Sequence, residues 1–167
     1  MEPQIRILDE GDAAALFSLR RAALLDSPLA FLASPKDDMA ASEEAVRMLL
    51  KRGPESVVFA ASTPQIVGMV GLHRAPQLKA AHKANLWGMF VVRSWRGRGL
   101  GEQLLSAAIS YARTLPGLAC VQLSVSESAA AARQLYEGAG FTTWGVEPDA
   151  LRVDHRSESE RHMRLAL

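Results

Sequence analysis

The chain has 167 residues, 49% of them hydrophobic and 22% charged, with a formal net charge of +1. That length buries a core without disulfides or a structural metal, so one domain spanning 1–167 is expected. The near-zero charge removes any global electrostatic case for nucleic acid or an anionic membrane as partner. Cys120, the one cysteine, lies in an apolar run and reads as a small buried hydrophobe. No window approaches a membrane span and no cationic, long-apolar leader opens the chain, which makes a cytoplasmic protein the expectation.

In chain order, Ile5-Arg6-Ile7-Leu8 reads as a short strand punctuated by Asp9-Glu10-Gly11-Asp12. Asp12 suits the N-cap of a helix over 13–25, which places Leu16, Leu19, Ala23 and the Arg20 stem on one face. Residues 27–35 carry two prolines and read as a loop. A second helix is expected over 42–52, with Glu43 and Glu44 where the helix dipole favours acids, stopping at Gly53-Pro54. Strands over 57–61 and 66–73, joined by Ser62-Thr63-Pro64-Gln65, suggest a hairpin. A loop over 74–81 then leads to a strand over 85–92.

Leu100, Leu104, Ala108 and Tyr111 recur at helical spacing, so an amphipathic helix runs to about Leu115, ahead of Pro116-Gly117. A strand over 121–125, a helix over 129–138 capped by Ser128, a strand over 141–146 and a last strand within 161–167 complete the chain. The order predicts an α/β fold: a mixed sheet with helices on both faces.

The most informative stretch runs from Met89 to Gly101. An apolar strand ends in Arg93-Ser94-Trp95-Arg96, and Gly97-Arg98-Gly99-Leu100-Gly101 passes directly into helix. A strand, a glycine turn and a helix N-terminus together make an anion site of backbone N–H groups, suited to phosphate or pyrophosphate. Two common glycine loops are excluded. A P-loop needs Gly-Lys-Ser/Thr, whereas Gly101 is followed by Glu102-Gln103; a dinucleotide fingerprint needs glycine where Glu102 stands.

Arg96-Gly97-Arg98-Gly99-Leu100-Gly101 resembles the Arg/Gln-x-x-Gly-x-Gly/Ala signature of the GCN5-related N-acetyltransferase (GNAT) superfamily. Leu123-Ser124-Val125, followed by Ala132-Arg133-Gln134-Leu135-Tyr136 and Gly140-Phe141, is similar to that family's second block. The resemblance is sharp over about 84–145 and topological outside it. It implies a single-domain GNAT-like sheet whose central strands splay apart to hold acyl-CoA, and a reaction moving an acetyl group from acetyl-CoA directly to a primary amine, without metal.

The resemblance implies cofactor contacts from Met89, Phe90, Val91, Arg96, Gly97, Arg98, Gly99, Leu100, Gly101, Ala129 and Tyr136. It assigns protonation of the departing thiolate to the Tyr136 hydroxyl, and polarisation of the carbonyl to a backbone N–H near residues 89–91. Two departures stand out. Many relatives place a glutamate base on the strand before the glycine turn, but Asn85-Leu86-Trp87-Gly88-Met89-Phe90-Val91 has no carboxylate. His73 and His82 are substitutes by residue type, since histidine titrates near working pH. Ala129 stands where many relatives carry a cofactor-contacting asparagine.

The segments 27–35 and 74–83 are expected to wall the acceptor pocket, and the acceptor is a small-molecule or peptide amine. Homodimers are common in the family. The competing reading is a catalytically weak GNAT-fold module that holds acyl-CoA for a regulatory or structural purpose.

Overall fold

A computed structural model describes residues 2–167. Its strands are β1 (Gln4–Ile7), β2 (Ser56–Thr63), β3 (Gln65–Arg74), β4 (Lys83–Val91), β5 (Cys120–Ser126), β6 (Thr142–Val153) and β7 (Arg156–Ala166). The helices are α1 (Ala13–Asp26), α2 (Glu43–Leu50), α3 (Leu100–Ala112) and α4 (Ala130–Gly138). All strands join one sheet in the order β1-β2-β3-β4-β5-β7-β6. Only the central pair β4/β5 is parallel among the described residues. Among the described residues, no helix is long and apolar enough to cross a membrane.

The alternation along β2 shows how both faces are filled. Val58 and Ala60 pack with Leu16, Leu19, Val46 and Leu49 of α1 and α2, whereas Phe59 and Ala61 join Leu104, Leu105 and Ala108 of α3 on the other face. A period of two on the strand thus serves helical stripes on both sides of the sheet. The hydrophobic patterning therefore carries the two-layered cover expected from the sequence.

Three local readings change. Helical structure begins at Glu10, because the Asp9 side chain accepts from the Gly11 amide at 2.8 Å. Asp12 instead receives two bonds from Arg6 at 2.6 and 2.7 Å and makes no cap to α1. Ser128 caps nothing either: its amide donates to Glu158 at 2.7 Å, and Ala129 occupies the N-cap of α4.

The largest difference is the hairpin of β6 and β7, paired from Thr142↔Arg164 to Val153↔Arg156. Residues 147–160, outside the strands expected from sequence, are mostly polar, with Leu151 the buried anchor. A ribbon with polar groups on both faces lacks the alternation that marks a half-buried strand.

Candidate active site

The ladder between β4 and β5 consists of Lys83↔Cys120, Ala84↔Val121 and Asn85↔Gln122 and then stops. Beyond it each strand stays paired on its outer side, β4 with β3 and β5 with β7, so the sheet parts down its middle. On its other side β4 carries a bulge against β3. Between Gly71↔Trp87 and Met69↔Phe90, β4 spends one residue more than β3, and Gly88 takes φ +66°. That extra residue exchanges the faces: Leu86 packs with α3 before the bulge, and Phe90 packs with α1 after it.

Two hollows meet at the parting and share Ala30 and Phe31 as a wall. The Ser126 hydroxyl donates to the Leu29 carbonyl and so ties this wall to β5. The first hollow, about 620 Å³, runs along Met89, Phe90 and Val91 to Arg96, Gly97, Gly99, Leu100 and Gly101, with Ala129 and Leu135 opposite. The second, about 640 Å³, lies against Asn85, Trp87 and Ser124. Both volumes are in the small-molecule range of about 300–1,000 Å³.

At the end of the first hollow the chain passes through Gly97 at φ +73° and Gly99 at φ +74° into α3. Among the described residues, the amides from 97 to 102 donate no backbone hydrogen bond, while those of Arg96 and Gln103 on either side do. A run of free N–H groups at a helix start is an anion cradle.

The arginines of the turn are held in place. Arg96 Nε donates to the Val91 carbonyl at 2.8 Å, its Nη2 reaches Asp26 at 2.8 Å, and Arg93 reaches the same carboxylate at 3.2 Å. The bond from Arg96, with help from Ser27, holds the Asp26 carboxyl at about 2. A depressed carboxyl stabilises the fold above its unfolded value, and that contribution fades as pH falls through about 2. Because the arginines are exposed, Asp26→Asn is expected to cost under about 1 kcal/mol at neutral pH. The difference should close as a urea-unfolding series moves from pH 5 toward pH 2. A gap that stays constant across that series would detach the stabilisation from this ion pair.

Arg98 points elsewhere, with its guanidinium 4.7 Å from the centre of the Trp95 ring. Tyr136 packs in the α3-side core rather than lining the hollow, edge-on to Phe141 at 5.9 Å, and burial alone pushes its hydroxyl up to about 12. His73 pairs with Asn85 across β3/β4 and lines neither hollow. Its Nδ1 is buried without a partner among the described residues, and burial, with the charge of Arg52, lowers its pKa.

His82 precedes β4 at the closed end of the parting, where its carbonyl accepts from the Ala119 and Cys120 amides. The segment 74–83 likewise contributes no wall to the second hollow, because it lies where β4 and β5 are still paired.

That second hollow takes Ala30, Phe31, Leu32 and Ala33 of its wall from the expected segment 27–35, and most of its polar groups from residues the sequence did not single out. Arg20 of α1 is buried and donates twice to the buried Asp38 at 3.0 Å. Its guanidinium also lies over the rings of Phe31 and Trp87, at 5.1 and 5.6 Å. On the opposite side, Ser124 of β5, His162 of β7 and Glu147 of β6 form a hydrogen-bonded chain, with Trp144 stacked on the imidazole. Glu160 is beside them, and burial raises its carboxyl pKa. The available signal was the alternation Glu158, Glu160, His162, Arg164, which places these side chains on one face of a strand.

A model of the acetyltransferase (GNAT) family matches residues 18–141. Among solved structures, the fold is similar to a GNAT-family acetyltransferase from Streptococcus pneumoniae, 22% identical, with a TM-score of 0.89 over 99% of this chain and 100% of that one. It is also similar to yncA from Salmonella typhimurium, solved with its cofactor acetyl-CoA, at 23% identity and a TM-score of 0.80 over 99% and 94% of the two chains. A segment of 52 residues, 31% of this chain, is 50% identical to mycothiol acetyltransferase of Streptosporangium roseum. The match spans 15% of that curated relative's length.

Proposed function

Because the chain belongs to the GNAT acetyltransferase family, we propose that it transfers an acetyl group from acetyl-CoA directly to a primary amine of a small molecule or peptide. The observation that carries this reading is the pair of hollows meeting where β4 and β5 part, one of them ending in the free amides of residues 97–102. These features fit the cosubstrate. The turn offers N–H donors to a pyrophosphate, and the unpaired edge of β4 beyond Asn85 offers backbone groups to an extended pantetheine arm.

Acetyl-CoA supplies an activated thioester, and the protein supplies position and proton control. Met89, Phe90 and Val91 line the groove toward the acetyl end, where a backbone N–H polarises the carbonyl. Arg96, Gly97, Gly99, Leu100 and Gly101 take the phosphates, and Ala129 and Leu135 close the groove. Arg98 adds charge near the turn. Tyr136, which packs behind the α4 wall of this groove, is assigned protonation of the departing thiolate by the family resemblance, and the step requires its hydroxyl to reach the sulfur with acetyl-CoA bound. A hydroxyl pushed up to about 12 keeps its proton up to the moment of transfer, although burial also makes it a weaker acid than an ordinary tyrosine.

The test is thiol release from acetyl-CoA against a panel of free amino acids, peptides, polyamines and aminoglycosides. With an accepted amine, Tyr136→Phe should lower the maximal rate about a hundredfold while acetyl-CoA affinity stays at the wild-type value. The rate should also show no descending limb near pH 10, where an ordinary tyrosine would ionise. Undiminished turnover in Tyr136→Phe would leave the tyrosine with a packing role only.

A further inference from the structure

The proton that leaves the acceptor amine needs a destination, and neither His73 nor His82 lines the second hollow. Its wall contains Ser124 and His162 instead, and a hydrogen-bonded chain runs from them to Glu147 outside the lining. Ser124 Oγ is 2.9 Å from His162 Nδ1, and His162 Nε2 is 3.0 Å from Glu147 Oε2. Trp144 lies over the imidazole at 5.3 Å with an interplanar angle of 29°. Ser124 is exposed and stands two residues beyond Gln122, where the β4/β5 ladder ends, so its hydroxyl is at the mouth of the parting.

Three strands set this geometry: Ser124 opposes His162 across β5/β7, and Gly145 opposes His162 across β6/β7. The charged groups around the imidazole are Glu147 on β6, its hydrogen-bond partner, Glu160 and Arg164 two residues to either side on β7, and Arg20, Asp37 and Asp38, which line the same hollow.

The hydrogen bonds dictate a direction. An ionised carboxylate only accepts, so Glu147 requires the hydrogen on Nε2. In the neutral ring, Nδ1 then carries the lone pair and accepts from the Ser124 hydroxyl. We propose that Ser124 and His162 are the relay that removes the proton from the acceptor amine, with Glu147 holding the ring as a positioning residue. The inference rests on the acetyl-transfer reading.

In the step, the amine nitrogen forms a bond to the thioester carbonyl carbon and the C–S bond breaks with its electron pair passing to sulfur. The sulfur is protonated by Tyr136. The surplus proton on nitrogen passes to Ser124 Oγ as the proton of Ser124 moves to His162 Nδ1. The imidazolium then releases a proton to solvent and Tyr136 recovers one, so one amine N–H has been exchanged for one thiol S–H.

Two measurements on the full chain test the relay. Nitrogen NMR of ring-labelled histidine, without any acceptor, should find the hydrogen of the neutral His162 ring on Nε2. A neutral ring that carries its hydrogen on Nδ1 overturns the proposal. Thiol release with hydroxylamine, a nucleophile small enough to enter an unfitted pocket, supplies the kinetic arm. Ser124→Ala and His162→Asn should each lower the limiting rate about a hundredfold with acetyl-CoA affinity unchanged. The double variant Ser124→Ala/His162→Asn should be no slower than either single variant, because both changes break one relay, which two independent packing roles would not produce. Losses that simply add in the double variant, or no turnover by the wild type beyond its own variants, overturn the relay. Wild-type protein that fails to bind acetyl-CoA in calorimetry would instead bring down the underlying reading.

Discussion

Gly99→Val is expected to give a folded protein that no longer binds acetyl-CoA. A side chain at Gly99 would meet only Gln103 Nε2, at 4.0 Å, so nothing in the protein's packing forbids it. The obstruction is of two other kinds. At φ +74° a β-branched residue is strained by about 1–2 kcal/mol, which favours rotation of the peptides that aim the free amides. Its methyl groups would also stand where a pyrophosphate must approach the backbone. Losing two hydrogen bonds to a charged group, at about 1.5–3 kcal/mol each, weakens affinity by at least about a hundredfold. Calorimetry with acetyl-CoA, beside circular dichroism to show the fold, measures both halves. Unchanged affinity in the folded variant would remove the turn from the binding site.

Arg20→Leu is expected to produce the largest loss of stability. It leaves Asp38, whose side chain is 3% exposed, as an uncompensated buried charge. Breaking a buried pair in this way costs about 3–5 kcal/mol. For a chain of this size that lowers the melting temperature by between about 6 and 20 °C. The double variant Arg20→Leu/Asp38→Leu should recover much of the loss, because it removes both charges. A single variant as stable as wild type, or a double variant no better than the single, would contradict the assignment. Phe31 and Trp87 lie against the same guanidinium, so the single variant should also disturb the second hollow.

The parts of the site that were legible in the sequence are those built from consecutive residues. The glycine turn joins a strand to a helix within about a dozen positions, and its function depends on backbone conformation that glycine itself signals. Met89, Phe90, Val91, Arg96, Gly97, Gly99, Leu100, Gly101 and Ala129 accordingly all line one groove. Of the second hollow, only the wall from segment 27–35, which supplies Ala30, Phe31, Leu32 and Ala33, was legible. The hollow's residues come from α1, the segment after it, β4, β5, β6 and β7, and no spacing along the chain relates Arg20 to Asp38 or Ser124 to His162. His73 and His82 were reached by residue type, and type alone says nothing of which end of a parting strand pair a side chain occupies.

By itself the sequence determined the order of strands and helices, the amphipathic faces that bury both sides of the sheet, and the glycine turn that leads into α3. Each is a property of local conformation or of a hydrophobic period, and both act over a few residues. Only the tertiary structure decided where β4 and β5 stop pairing, that the bulge at Gly88 exchanges the faces of β4, and that a polar hairpin extends β6 and β7. It also set the partners of Arg20 and His162. These features depend on register between strands distant in sequence, and in a strand a shift of one residue turns every side chain to the opposite face.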